Sequence, residues 1–118
     1  MPKLAITKRN FDAARDFLYR KWVERAAEEV GRPVPRDLTG ACKFASLFAQ
    51  ALFGGKLRGN EDHQWVETKE GVIDLTGCAG VKRCVYWHDD EWWMNEDHKD
   101  SLESCKPRVA RWVKEFLR

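Results

Sequence analysis

Residues 39–76 carry most of the structural information in this chain, and they read TGACKFASLFAQALFGGKLRGNEDHQWVETKEGVIDLT. In the first part of this segment, apolar side chains recur at steps of three and four residues, which predicts a helix from Ala41 to Phe53. The recurring positions are Ala45, Phe48 and Leu52. Gly54-Gly55 follows and is expected to end the helix, because a helix C-terminus commonly needs a residue that can adopt a positive φ.

The second part of the segment predicts a β-hairpin. Two short runs rich in β-branched and aromatic residues, His63–Thr68 and Val72–Leu75, read as its strands, with the turn formed by residues 69–71. A third strand is expected at Arg83–Trp87. The stretch from His88 to Asp100 is acidic and rich in tryptophan, and because it has no clean period it is interpreted as a loop.

Helical patterns also flank this central region. Asn10 is expected to cap a helix that runs to about Val30 and buries one apolar stripe. That stripe consists of Phe11, Ala14, Leu18, Trp22, Ala26 and Val30. Pro107 suits the first turn of a closing helix. The apolar stripe of this closing helix consists of Val109, Trp112, Val113, Phe116 and Leu117. The order helix, helix, strands, helix predicts an α+β fold with an antiparallel sheet.

Cys42 is the candidate nucleophile. With Thr39 as the expected N-cap, Cys42 falls in the first turn of its helix. The positive end of the helix dipole and the unpaired N–H groups there both favour thiolate over thiol. The same N–H groups can hold the oxyanion that forms when sulfur attacks a carbonyl.

A nucleophilic cysteine also needs a base and a group that orients the base, and the hairpin can supply both as His63 and Asp74. Successive side chains of a strand alternate between the two faces of the sheet. His63 and Asp74 therefore lie on the same face only if the residue numbers of each cross-strand pair in the hairpin add up to an odd value. A sum of 137 places them directly opposite each other, and a sum of 139 makes them diagonal neighbours around a Thr68–Gly71 turn. An even sum would separate them.

These residues resemble the transglutaminase-like branch of the papain-like superfamily, whose Cys, His, Asp order is also that of arylamine N-acetyltransferases. The matching motifs are Gly40-Ala41-Cys42, Gly54-Gly55, His63-Gln64-Trp65 and Gly71-Val72-Ile73-Asp74-Leu75-Thr76, which span about a third of the chain. The resemblance implies a papain-like core in which the nucleophile-bearing helix packs on a small antiparallel sheet. It also implies Cys42 as nucleophile, His63 as base and then acid, and Asp74 as the residue that orients His63.

Two features depart from the family pattern. Only 21 residue positions separate Cys42 from His63, and 11 more lead to Asp74, so little room is left for insertions that bind substrate. Papain-like peptidases proper carry a glutamine shortly before the cysteine, which completes the oxyanion hole. Arg36, Asp37 and Leu38 occupy that region here, and the sequence therefore identifies no second oxyanion donor.

Three tryptophans and a set of possible metal ligands lie outside the triad. Trp87, Trp92 and Trp93 are candidates for a groove wall that binds an apolar or cationic substrate group, with core packing as the competing interpretation. The possible zinc ligands are Cys78, Cys84 and His88, with His98 or Cys105 further on. They lack the close cysteine pair of structural zinc sites, so no metal and no cofactor is expected.

Composition narrows the class of protein. The 118 residues predict a single domain covering residues 1–118. A net charge of +2 is too small to favour nucleic acid as a partner, and no apolar stretch is long enough for a membrane span or a secretory signal. A cytoplasmic protein is therefore expected, with its four cysteines as thiols. The oligomeric state is left open.

The sequence thus predicts cysteine-dependent acyl or amide chemistry on a protein, a peptide or a small amide or acyl substrate. Peptidase, deamidase and acyl transferase activities share the first half of this chemistry and stay open. The alternative is a binding or regulatory module of the same fold without catalysis, of phage or mobile-element origin. The small size and the unidentified oxyanion donor favour this alternative, whereas the three residues in the right order favour the enzyme.

Overall fold

The computed structural model describes residues 3–77, 81–82 and 87–118, with only the backbone described at 81–82. The elements in chain order are α1 (Lys8–Ala26), α2 (Cys42–Phe53), β1 (Lys56–Gly59), β2 (Gln64–Thr68), β3 (Gly71–Ile73), β4 (Val81–Lys82), α3 (Asp90–Trp93) and α4 (Glu96–Phe116). The predicted α+β class is confirmed. Within these ranges, no helix combines the length and the apolar character that crossing a membrane requires.

Helix α1 is shifted toward the N-terminus relative to its prediction. The Thr7 hydroxyl accepts the N–H of Asn10, so Thr7 is the N-cap, while the Asn10 amide donates to the Ala5 carbonyl. The helix ends at Ala26, and Val30, expected in its apolar stripe, is fully exposed. The other five stripe residues are buried as predicted. Beyond Ala26 the chain forms turns, and Glu28, Glu29 and Val30 are all exposed, so this segment buries no apolar face that would extend the helix.

Helix α2 lies at the centre of the core. It contacts α4, β1 and β2 and ends at the Gly54 C-cap, as predicted. The rings of Phe17 from α1, Phe48 from α2 and Phe116 from α4 meet with centroids 5.0–5.8 Å apart. This aromatic contact ties the three long helices together.

The sheet has the strand order β1-β2-β3-β4 with every neighbouring pair antiparallel. In the β2–β3 hairpin, Val66 pairs with Ile73 and Thr68 pairs with Gly71. The residue numbers of each pair therefore sum to 139, so the register is odd, as the His63–Asp74 pair requires, and the arrangement is the diagonal one. The paired segments are shorter than predicted, so His63 and Asp74 stand just beyond the ends of β2 and β3.

Two strand predictions need correction. The sequence does not predict strand β1, because Lys56-Leu57-Arg58-Gly59 contains only one large apolar residue. The strand forms through its pairing with β2. The strand expected at Arg83–Trp87 corresponds to β4, which lies earlier in the chain, at Val81–Lys82. Residues 83–86 of that prediction lie outside the described residues, and Trp87 belongs to no strand.

The predicted loop at His88–Asp100 is wrong, because it contains α3 and the start of α4. The Asp89 carboxylate accepts the N–H of Trp92, and the Asn95 side chain accepts those of Asp97 and His98.

The closing helix likewise does not begin at Pro107, which lies inside α4. Leu102 and Cys105 before the proline and Val109 after it are all buried. Burial of one continuous stripe therefore outweighs the backbone hydrogen bond that proline removes.

Candidate active site

Cys42 is the first residue of α2 and is half-buried. Its predicted place in the first turn is confirmed, but the N-cap is Ala41 rather than Thr39. Gly40 adopts a φ of 84°, which separates Thr39 from the helix, and the Thr39 N–H donates instead to the Asp37 carboxylate at 2.9 Å. The turn closes with a bond from the Ala41 N–H to the Leu38 carbonyl at 3.0 Å.

The N-terminus of α2 keeps its backbone donors available. Ala41 has no side chain that could cap the helix, and no side chain in the described part of the protein does so in its place. The N–H groups of a first helical turn have no acceptor within the helix. They are therefore positioned to bind an oxygen that becomes negative next to the Cys42 sulfur.

His63 is positioned by the turn that joins β1 to β2. The Asn60 side-chain oxygen accepts the N–H groups of Asp62 at 2.9 Å and His63 at 3.0 Å, while the Asn60 N–H donates to the His63 carbonyl. The imidazole Nε2 lies 2.6 Å from Oδ2 of Asp74. The diagonal register, one of the two odd registers considered for the hairpin, thus joins the candidate base to the candidate orienting group.

Asp74 is almost completely buried, with 3% of its surface exposed. Its Oδ1 accepts two bonds from Thr76, one from the backbone N–H at 3.0 Å and one from the hydroxyl at 2.6 Å. Oδ2 is left to face His63. Burial disfavours the carboxylate, but the bonds from His63 and Thr76 outweigh it and hold the pKa of Asp74 below its ordinary value.

His63 links Asp74 to Cys42. Its pKa is raised to about 9, first by the hydrogen bond with Asp74 and then by a hydrogen bond with Cys42, while burial opposes the shift. Asp74 engages the imidazole at Nε2. The three residues predicted as the reactive centre therefore lie near one another, in the order Cys42, His63, Asp74.

Trp65 is a neighbour of the site that the sequence did not single out. Its ring stacks against the His63 ring with centroids 6.1 Å apart, and it is almost fully buried. The spacing of His63 and Trp65 indicates this contact, since residues two positions apart on a strand share a face. Trp65 shields one side of the imidazole from water.

The three tryptophans predicted to bind substrate have different environments. Trp87 is largely exposed, and its carbonyl accepts a bond from the Asn60 amide at 2.7 Å. Trp92 and Trp93 pack against the buried ring of His98, with centroids at 4.0 and 4.6 Å. The Trp93 ring also lies against Gly59, so Trp87 and Trp93 border the turn that carries His63, whereas the Trp92 ring packs on Trp93 and His98.

The residues considered for zinc are not gathered around one point in the described structure. His88 accepts the Gly59 N–H at Nδ1 and faces Asp90 at Nε2, at distances of 2.9 and 3.0 Å. Cys78 and Cys84 lie outside the described residues. Among the residues that are described, no three His, Cys, Asp or Glu side chains are arranged to hold a metal ion.

No protein-family model, curated protein or solved structure matches this chain.

Proposed function

We propose that this chain is a cysteine-dependent enzyme that attacks an amide, thioester or related acyl group on a papain-like, transglutaminase-like core. One observation carries the proposal. The His63 imidazole is bonded to the buried Asp74 carboxylate at 2.6 Å, and Cys42 at the N-terminus of α2 lies close enough to raise the pKa of His63 further. Nucleophile, base and orienting group are thus connected at the end of a helix whose dipole favours negative charge.

In the first half of the reaction, the Cys42 sulfur attacks the carbonyl carbon and forms a C–S bond. The carbonyl oxygen becomes an oxyanion, which the N–H groups of the first turn of α2 stabilise. His63, protonated at neutral pH because its pKa is raised to about 9, gives its proton to the leaving group as the carbon–nitrogen or carbon–sulfur bond breaks. The product of this half is a thioester on Cys42.

In the second half, His63 acts as a base. It removes a proton from water or from another nucleophile, which attacks the thioester carbon and releases Cys42 as thiolate. Asp74 keeps the imidazole in one orientation and stabilises its charged form. Hydrolysis, deamidation and acyl transfer differ only in the leaving group and in the second nucleophile.

The test is the pH dependence of Cys42 alkylation by iodoacetamide, followed at peptide level by mass spectrometry. Cys42 should still react rapidly about two pH units below the usual thiol pKa of about 8.5, and His63→Ala should abolish this reactivity. His88→Ala is the matched control, because His88 bonds to Gly59 and Asp90 rather than to Cys42. Ordinary thiol behaviour of Cys42 in the unmodified protein would contradict the enzyme and favour a non-catalytic binding module.

A further inference from the structure

A cavity of about 430 Å³ lies beside the carboxylate end of the triad. Its walls come from three segments, which are residues 15–19 of α1, residues 36–38 before α2 and residues 75–77 after β3. Gly77 in the third segment lies against the triad, because a Cβ added to it would stand 3.3 Å from Oδ2 of Asp74. The volume falls within the range of small-molecule sites, roughly 300–1,000 Å³.

Hydrogen bonds hold each wall of this cavity in place. The Tyr19 hydroxyl donates to the Pro35 carbonyl at 2.6 Å and ties α1 to the segment before α2. At its other end, that segment is closed by the bond from the Ala41 N–H to the Leu38 carbonyl. In the third wall, Thr76 donates two hydrogen bonds to the carboxylate of the triad. The cavity is therefore formed before a ligand binds, which lowers the entropic cost of binding.

Charged side chains of both signs line the cavity, and they are Arg15, Asp16, Arg36 and Asp37. None of the ion pairs formed within the described residues includes Asp16, Arg36 or Asp37. Arg15 approaches the carboxylate of Asp12, at 3.8 Å. Two cations and two anions therefore surround one space without pairing across it.

A zwitterion matches this lining better than an ion of one sign. An anion would be drawn to the two guanidinium groups but would also approach two carboxylates, and a cation would meet the reverse. A ligand with separate ammonium and carboxylate groups satisfies both signs, and a guanidinium group can bind a carboxylate through two parallel N–H donors. The buried side chains of Leu38 and Leu75 add an apolar part to the lining.

We propose that this cavity binds a small zwitterion with an apolar side chain, which is a free amino acid or a short peptide. Arg36 and Arg15 bind its carboxylate. Asp16 and Asp37 bind its ammonium group. The proposal concerns binding alone and does not depend on the reaction assigned to Cys42.

The experiment titrates the full chain carrying Cys42→Ala, in which no acyl-enzyme can form, with three compounds of similar shape. L-Leucine carries both charges, N-acetyl-L-leucine only the carboxylate and L-leucinamide only the ammonium group. Isothermal titration calorimetry should show that leucine binds on the order of 10-fold or more tightly than either analogue. In NMR spectra, the shift changes should centre on the backbone amides of Leu38, Thr76 and Gly77. L-Leucyl-L-leucine identifies the source, since tighter binding than leucine indicates a short peptide and weaker binding a free amino acid.

Variants assign the two charges separately. Arg36→Gln should weaken the binding of leucine and N-acetylleucine but not that of leucinamide, whereas Asp16→Asn should weaken the binding of leucine and leucinamide but not that of N-acetylleucine. Both side chains are exposed, so the variants should keep the fold. Arg32→Gln and Glu24→Gln are the matched controls, because each side chain is paired with an opposite charge nearby and does not line the cavity.

Two results would overturn the zwitterion site. One is equal affinity for leucine and its two analogues, or an affinity that neither Arg36→Gln nor Asp16→Asn changes. The other is the absence of heat and of shift changes with both leucine and leucylleucine at millimolar concentrations. Neither result bears on the alkylation of Cys42, so the proposed function is tested separately.

Discussion

At the scale of single residues, the site depends on how tightly Asp74 is held. A buried carboxylate is stable only when its oxygens accept hydrogen bonds, and Asp74 accepts two from Thr76 and one from His63. The two bonds to Oδ1 fix the plane of the carboxylate and direct Oδ2 at the imidazole. Thr76 therefore helps to set the orientation of His63 through Asp74, to which it donates both of these bonds.

Asp74→Asn should make Cys42 less reactive at neutral pH. The neutral amide no longer raises the pKa of His63, and a neighbouring opposite charge typically contributes about 1–3 pKa units. We expect iodoacetamide labelling of Cys42 at pH 7 to slow roughly 10-fold or more. Asp90→Asn is the control, since Asp90 pairs with His88, and an equal effect in both variants would contradict the role assigned to Asp74.

Thr76→Val should destabilise the protein, because it removes the hydroxyl that donates to Oδ1 at 2.6 Å and leaves the buried carboxylate with one bond fewer. The expected loss in free energy of unfolding is about 1–3 kcal/mol, measured by urea denaturation. Thr76→Ser keeps the hydroxyl and should recover most of the stability. Equal losses in the two variants would mean that the Thr76 methyl group, rather than the hydrogen bond, carries the effect.

At the scale of elements, caps and periodicity explain where the predictions succeeded and failed. Helix α2 was predicted closely because its apolar pattern and its glycine end lie within consecutive residues. The predicted start of α4 at Pro107 is wrong. Proline is a local signal for a helix start, but burial against α2 extends the helix through Pro107. Asn95, the true N-cap, stands in a stretch whose charges and tryptophans suggested a loop.

Asn95→Ala tests that cap. The Asn95 side-chain oxygen accepts the N–H groups of Asp97 and His98, so its loss should lower the free energy of unfolding by about 1 kcal/mol. Urea denaturation measures the change. Asn95→Asp retains the acceptor, so its free energy of unfolding should remain close to that of the unmodified protein. Equal stability of all three proteins would contradict a stabilising role of the cap.

At the scale of the whole molecule, the His63–Asp74 pair makes stability depend on pH. A raised pKa in the folded state means that the contribution of His63 is fully present below about pH 6.5 and is lost as the pH rises through about 9. The pKa of Asp74 is lowered, so its contribution is present above its ordinary value of 3.8 and is lost as the pH falls below it. The pair should stabilise the fold most between about pH 4 and 6.5.

The difference in free energy of unfolding between the unmodified protein and His63→Gln measures this effect. It should be larger at pH 6 than at pH 10, because His63 is protonated and paired only at the lower pH. Urea denaturation at the two pH values gives both differences. A difference that does not change with pH would contradict a charged His63–Asp74 pair in the folded protein.

The features predicted from sequence are those encoded by neighbouring residues. The helical period of α2, the position of Cys42 in its first turn and the odd register of the hairpin each depend on a few consecutive side chains and one turn. They are enough to predict the α+β class and, with the order of Cys42, His63 and Asp74, the pairing of His63 with Asp74 once the register is odd.

Tertiary structure decided what depends on contacts between distant segments. Strand β1 exists because β2 offers it backbone partners, and α4 continues through Pro107 because the helix buries its stripe in the core. The Lys43–Ser101 contact joins residues 58 positions apart. Such contacts follow from how the core packs, which no short stretch of sequence encodes.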